Sequence, residues 1–180
     1  MLVFIDGNDL RAAELARISP GLEVVVEGLQ TGFSTSSNEP GQRARDKVRA
    51  HPVPAGCFAE AVDLTTLEGK SLRLELDTEN ENRFCKWWRE TPAKMHLAIA
   101  LRRGADAEIE LITAVCEGVI ASKPAGPHLL GWDRLFVPAG EDATLAQLTE
   151  AGEVPEFRRL AYTQLATAIA AARAGEPVAT

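Results

Sequence analysis

Apolar positions open this chain as a short uninterrupted run. Leu2 to Ile5 (LVFI) is closed by Asp6-Gly7-Asn8, which predicts a buried strand followed by a turn. Asn8 or Asp9 can cap the helix that follows, Pro20-Gly21 stops it, and Leu22 to Leu29 (LEVVVEGL) returns as a β-branched strand. Strand, glycine turn, helix and strand make a βαβ-like opening. Its turn lies at the carboxyl end of the first strand, where ligands of open α/β sheets bind.

Thr31 to Gln42 is small, polar and Gly/Pro-bearing, which predicts a loop. A helix-compatible RARDKVRA (Arg43 to Ala50) follows, then a short apolar piece at Cys57-Phe58-Ala59. Ser71 to Asp77 alternates, with Leu72, Leu74 and Leu76 on one face of a half-buried strand. Glu79 to Glu90 reads as a short helix carrying an aromatic cluster. Met95 to Leu101 and Ala107 to Val115 read as strands joined across Arg102-Arg103-Gly104-Ala105, and Leu135 to Val137 as a brief one. Thr144-Leu145-Ala146-Gln147 has the form of a capping box. Pro155 sits at a first-turn position, and Phe157, Leu160, Ala161, Leu165, Ala168, Ile169 and Ala172 mark one helix face until Gly175. The pattern has no internal repeat and predicts an α/β chain with a mixed sheet and helices at both ends.

At 180 residues and 46% apolar content, residues 1–180 read as one domain able to bury a substantial core. A net charge of −7 argues against a nucleic acid polymer as partner, though not against a local basic pocket. Cys57, Cys85 and Cys116 lack metal-site or disulfide spacing and read as reduced thiols. The first residues lack the basic segment of a signal peptide, and no apolar run approaches the ~20 residues that span a bilayer. The expected location is the cytoplasm, with no membrane partner.

The chain has no HExxH, G-x-S-x-G or Walker A pattern, and His51, His96 and His128 lack metal-ligand spacing. Four features can carry chemistry. Gly7-Asn8 opens a helix whose free N–H groups attract phosphate, with Arg11 one turn in; the plain alternative is a capped turn. Arg43, Arg45, Lys47 and Arg49 form either a solvated helix face or a cationic wall toward a polyphosphate. Glu60 and Asp63 are acids of the kind that hold Mg²⁺ beside phosphates. The three tryptophans fall in Phe84-Cys85-Lys86-Trp87-Trp88 and Gly131-Trp132-Asp133, which place an apolar plane beside a charged head, as base and phosphate recognition requires; the plain alternative is core packing.

Several of these segments resemble the inosine triphosphate pyrophosphatase family, the Ham1-type noncanonical purine nucleoside triphosphate pyrophosphatases. From Gly118 to Gly140, G-V-I, then P-A-G, then G-W-D-x-x-F-x-P and a glycine are similar to the family's G-x-I-x-x-P-x-G and F-G-[WY]-D-P-x-F run. Thr144 to Leu148 is similar to its T-[YA]-A-E-[ML], Val3 to Asn8 to its opening [VL]-x-x-T-G-N, and Phe84 to Trp88 to the Y-x-K-W-F of its eukaryotic branch. The resemblance implies an α/β fold with an ITPase-like mixed β-sheet, flanking helices and two lobes around a central groove, in a homodimer. It implies Mg²⁺-dependent hydrolysis of a nucleoside triphosphate to the monophosphate and pyrophosphate. Carried over by residue, Gly7, Asn8, Arg11 and Lys86 meet phosphate, Lys47 is catalytic, and Glu60 or Asp63 holds the metal. Gly131, Trp132 and Asp133 meet the base.

The chain departs from the family pattern at Asp6 (threonine there), at the central acidic pair, of which one member remains in either register, and at Leu130 and Arg134. Glu156 and Phe157 stand for the family's histidine and arginine, with Arg158 one residue on. The expectation is therefore a diphosphatase with altered base preference, Glu156 and Arg158 reading the base. The alternatives are a degenerate relative that binds a nucleotide or protein partner, and a different chemistry on the same scaffold.

Overall fold

The four residues of β1 (Leu2–Ile5) are all buried, as expected of a strand covered on both faces. In the computed structural model, residues 1–29, 37–51, 56–73 and 78–174 are described. After β1 come α1 (Asp9–Ile18), β2 (Val24–Glu27), α2 (Pro40–Ala50), β3 (Cys57–Thr66) and α3 (Thr78–Trp88). Next are β4 (Pro92–Arg102), β5 (Ile109–Ile120), a 3-10 segment (His128–Leu135), β6 (Phe136–Pro138), α4 (Leu145–Glu150) and α5 (Glu156–Ala174).

The six strands form one sheet in the order β2-β1-β3-β4-β5-β6. β1 runs parallel to both neighbours, with Phe4 opposite Val26 on one side and Phe58 on the other, while β5 and β6 are antiparallel. The sheet is therefore mixed, as expected. Two compact units emerge: Met1–Ala61 with Leu97–Ala114 and Glu156–Thr180, and Val62–His96 with Val115–Pro155.

In unit 1, Ala44 and Val48 of α2 pack on Val3, Ile5, Cys57, Ala59 and Ala61. Phe4 and Phe58, on the alternate face, stack with centroids 4.3 Å apart. Asn8 caps α1 by accepting the Arg11 N–H at 3.0 Å. In unit 2, the Thr144–Gln147 capping box is complete, and Thr144 Oγ1 also donates to the Ala125 carbonyl.

Three expectations change. α2 begins at Pro40, with Glu39 as its cap, so the loop expected to Gln42 gives way to helix there; its residues 31–36 lie outside the described residues. β3 is ten residues long rather than a short piece, which places Glu60 and Asp63 inside a strand. Of the strand expected at Ser71 to Asp77, Ser71 bridges Thr65, and residues 74–77 lie outside the described residues, as does the Gly175 stop.

Candidate active site

Because β1 lies between β2 and β3, the chain leaves it first to one side and then to the other. The carboxyl end of β1, beside Ala59 of β3, is thus a topological switch point, where open parallel sheets bind ligands. Asp6 is the first residue beyond β1, with φ of 55°, in the left-handed region that aspartate tolerates better than most residues. Gly7 follows; a Cβ there would lie 2.5 Å from the Phe4 ring, so only glycine lets the chain pass.

α2 delivers Lys47 to the same point. Its small-residue face, Ala44 and Val48, is buried on the sheet, and the neighbouring Lys47 extends along it. Lys47 Nζ stands 2.6 Å from Asp6 Oδ2 and donates to the Glu60 carbonyl at 2.9 Å. The lysine side chain is 17% exposed and the aspartate 43%, so the pair is open to solvent on the Asp6 side. The result is a cation, a glycine passage and a helix N-terminus at one switch point, a set able to take a phosphate.

The Glu60 side chain has a different environment. Its Oε1 is buried and has no hydrogen-bond partner among the described residues. It acts electrostatically on Arg11 and Tyr162, within a buried group that also holds Glu14 and Arg158. Arg11 Nη1 lies 2.5 Å from Glu14 Oε2, and Arg158 Nε lies 3.9 Å from the same oxygen. Burial, then the Arg158 charge, lowers the Arg11 pKa; burial, then Glu60, raises that of Tyr162 well above its ordinary value. Two guanidiniums and two carboxylates balance formally, which makes burial of the group tolerable.

In unit 2, Asp63 is buried and accepts from Ser71 Oγ at 3.1 Å. Thr65 Oγ1 and His96 Nε2 are 3.0 Å apart, and burial, partly offset by Asp63, lowers the His96 pKa. Gly131 kinks the 3-10 segment with φ of 48°. The next two residues, Trp132 and Asp133, are buried, and Trp132 stands edge-on to Phe84 at 5.9 Å. Arg134 is ion-paired with Glu81 in the interior and donates to the Gly126 carbonyl. Lys86 is exposed on α3.

These positions correct several expectations. Arg11 is not a free phosphate fork, because its guanidinium is buried against Glu14. Arg158 is fully buried and Glu156 is paired with Arg159 at 2.5 Å, so neither presents a free base-reading group. Trp132 is a packed ring rather than an open stacking plane. Glu60 and Asp63, either of which was expected to hold the metal, are three apart on β3 and leave opposite faces of the strand. Among the described residues no three His, Cys, Asp or Glu side chains cluster as a metal site.

Asp6, Gly7, Asn8, Lys47 and the Glu60 backbone do come together. Sequence reading missed Glu14, although R-A-A-E puts it one turn from Arg11, and Tyr162, the chain's single tyrosine, hidden in an apolar helix face.

A mixed six-stranded sheet with helices flanking it defines an α/β protein, with the Lys47–Asp6 pair at the carboxyl end of β1. Residues 71–168, more than half of the chain, match the Ham1 family, and the chain belongs to that family. It is 36% identical over 63 residues to the dITP/XTP pyrophosphatase of Halalkalibacterium halodurans. That match covers 35% of this chain and 32% of the relative, so the chain spans about a third of the curated relative it matches. Two solved structures share the fold: a HAM1 protein from Coxiella burnetii (TM-score 0.68, 20% identity, covering 94% of this chain and 98% of that one), and the Staphylococcus aureus Ham1 protein (0.60, 17%, 96% and 100%). No described helix is long and apolar enough to cross a membrane.

Proposed function

We propose that this protein is a nucleoside triphosphate diphosphatase, cleaving a noncanonical or modified nucleoside triphosphate between its α- and β-phosphorus to give the monophosphate and pyrophosphate. The observation that carries this reading is Lys47, whose ammonium is held at the switch point between Asp6 and the Glu60 carbonyl in a chain of the Ham1 family. The Lys47 charge neutralises the departing pyrophosphate, and the N–H groups at the start of α1 take a phosphate that Gly7 allows to approach. The Asp6–Lys47 pair is partly exposed, worth ~0.2–1 kcal/mol, so a multiply charged polyphosphate displaces it.

Mg²⁺ fits one of the two acids better. Glu60 carries a buried carboxylate oxygen lacking a partner among the described residues, whereas Asp63 already accepts from Ser71. When bound, the ion neutralises phosphate charge and acidifies a water. We read the active form as a homodimer in the cytoplasm, on family resemblance; sedimentation of the purified protein tests the first point.

The test is pyrophosphate release from a panel of common and modified nucleoside triphosphates, with Mg²⁺ and with EDTA. Release confined to one or two bases and abolished by EDTA is expected. A second reading, a nucleotide-binding relative without turnover, is favoured by Lys47 closed on Asp6 and Arg11 closed on Glu14. It predicts a nucleotide-dependent thermal shift with no release from any member of the panel.

A further inference from the structure

The two cations described at the β1–α1 turn already face carboxylates. Lys47 Nζ stands 2.6 Å from Asp6 Oδ2, and Arg11 Nη1 stands 2.5 Å from Glu14 Oε2. Asp9, exposed at the first position of α1, adds a third acid. The connection from β2 to α2 supplies no cation, since residues 28–38 hold no charged side chain. Beside these groups, the first-turn N–H groups of α1 contribute only about half a positive charge. The turn that is to take a phosphate chain thus has no surplus of positive charge among them.

Asp6 is fixed in this turn. Its N–H donates to the Glu27 carbonyl at 2.7 Å, and Gly7 after it passes close to the Phe4 ring. An anion that takes Lys47 from Asp6 therefore leaves the carboxylate at its side. The ammonium itself stays, because the Glu60 carbonyl also accepts from it at 2.9 Å. One positive charge then faces a chain bearing several negative ones, and the carboxylate adds repulsion at close range. A divalent cation carried by the phosphate removes that conflict, because hard cations are held jointly by carboxylate and phosphate oxygens.

We propose that Asp6 is a specificity-determining residue, which makes this turn reject a bare polyphosphate and accept one complexed with a divalent cation. The inference rests on the reading of Lys47 as the phosphate cation. A neutral residue at position 6 would leave Lys47 open to any phosphate chain. With Asp6 in place, the form selected is the one whose leaving pyrophosphate already carries a neutralising charge.

Calorimetric titration of the full chain with inorganic pyrophosphate, the leaving group of the proposed reaction, tests this without turnover. Each protein is titrated with Mg²⁺ and with EDTA. The wild type should bind at least ~10-fold tighter with Mg²⁺ than with EDTA. Asp6→Asn removes the charge in a residue type that also tolerates the φ of 55°. It should bind the bare anion at least ~5-fold tighter than wild type, and its Mg²⁺ preference should fall below ~3-fold, as loss of a nearby like charge predicts. Glu150→Gln, which removes one acid from the exposed end of α4, should behave as wild type. Thermal melts confirm the fold of each variant.

Asp6→Asn binding the bare anion no tighter than wild type overturns the proposal, as does an undiminished Mg²⁺ preference in that variant. An equal gain in Glu150→Gln overturns it in favour of net charge alone. Lys47→Ala should weaken binding under both conditions. If it does while Asp6→Asn behaves as wild type, the role of Asp6 fails and the reading of Lys47 stands. If Lys47→Ala binds as tightly as wild type, or wild type fails to bind at millimolar pyrophosphate with Mg²⁺, both fail.

Discussion

Trp132 and Lys47 exchange the relative weights that residue type alone would give them. A tryptophan beside an aspartate suggests an open stacking plane, yet the ring is buried against Phe84, and its neighbour Asp133 is buried with it. Trp132→Ala should therefore act through stability, by roughly 3–5 kcal/mol as for other buried aromatics, measured by denaturant unfolding. A folded variant of wild-type stability with a raised KM would instead restore the stacking role. Lys47, one of several cations in a helix that reads as a solvated face, is the one found between Asp6 and the Glu60 carbonyl. Asp6 and Lys47 are far apart in sequence, and the packing of α2 on β1 and β3 brings them together.

At the level of elements, the β1–α1 turn imposes the tightest requirement. The Phe4 ring, stacked on Phe58, occupies the space where a residue-7 Cβ would project. Gly7→Ala should cost ~1–3 kcal/mol by overpacking and lower activity with it; a thermal melt equal to wild type would show that Phe4 moves aside. This turn, the α1 cap, the parallel β1–β2 pair and the α4 capping box were all legible in sequence, because each depends on residues close along the chain; the apolar face of α5 was legible except at Leu160 and Ala172, which are exposed. The full length of β3 was not. Glu60 and the buried Asp63 interrupt its apolar run, and the groups that make them tolerable, the Arg11 charge and the Ser71 hydroxyl, come from elsewhere in the chain. The same reason hid the Arg11–Glu14–Arg158 group: an arginine reads as a free cation until its partner is known.

Across the whole molecule, pH and charge set the conditions for function. Burial lowers the His96 pKa below its unfolded value, so the unfolded chain takes up the proton first. Stability from this group is complete above the unfolded pKa of ~6.5 and is lost as pH falls from there toward the lower folded value. Denaturant midpoints at pH 7.5 and pH 5 should thus diverge more for wild type than for His96→Gln, and equal divergence would remove His96 from the acid response. A net charge of −7 repels a polyphosphate at long range, so binding of a triphosphate rests on a few placed groups, above all the ammonium at the switch point.

The most direct measurement is therefore pyrophosphate release by wild type and by Lys47→Ala on the best substrate of the panel, at saturating Mg²⁺ and with matched thermal melts. The expected result is that turnover falls at least ~10²-fold while the fold is retained, as loss of a cation on developing phosphate charge does. Unchanged turnover in a folded Lys47→Ala would contradict it and move the reaction away from the β1–β3 switch point.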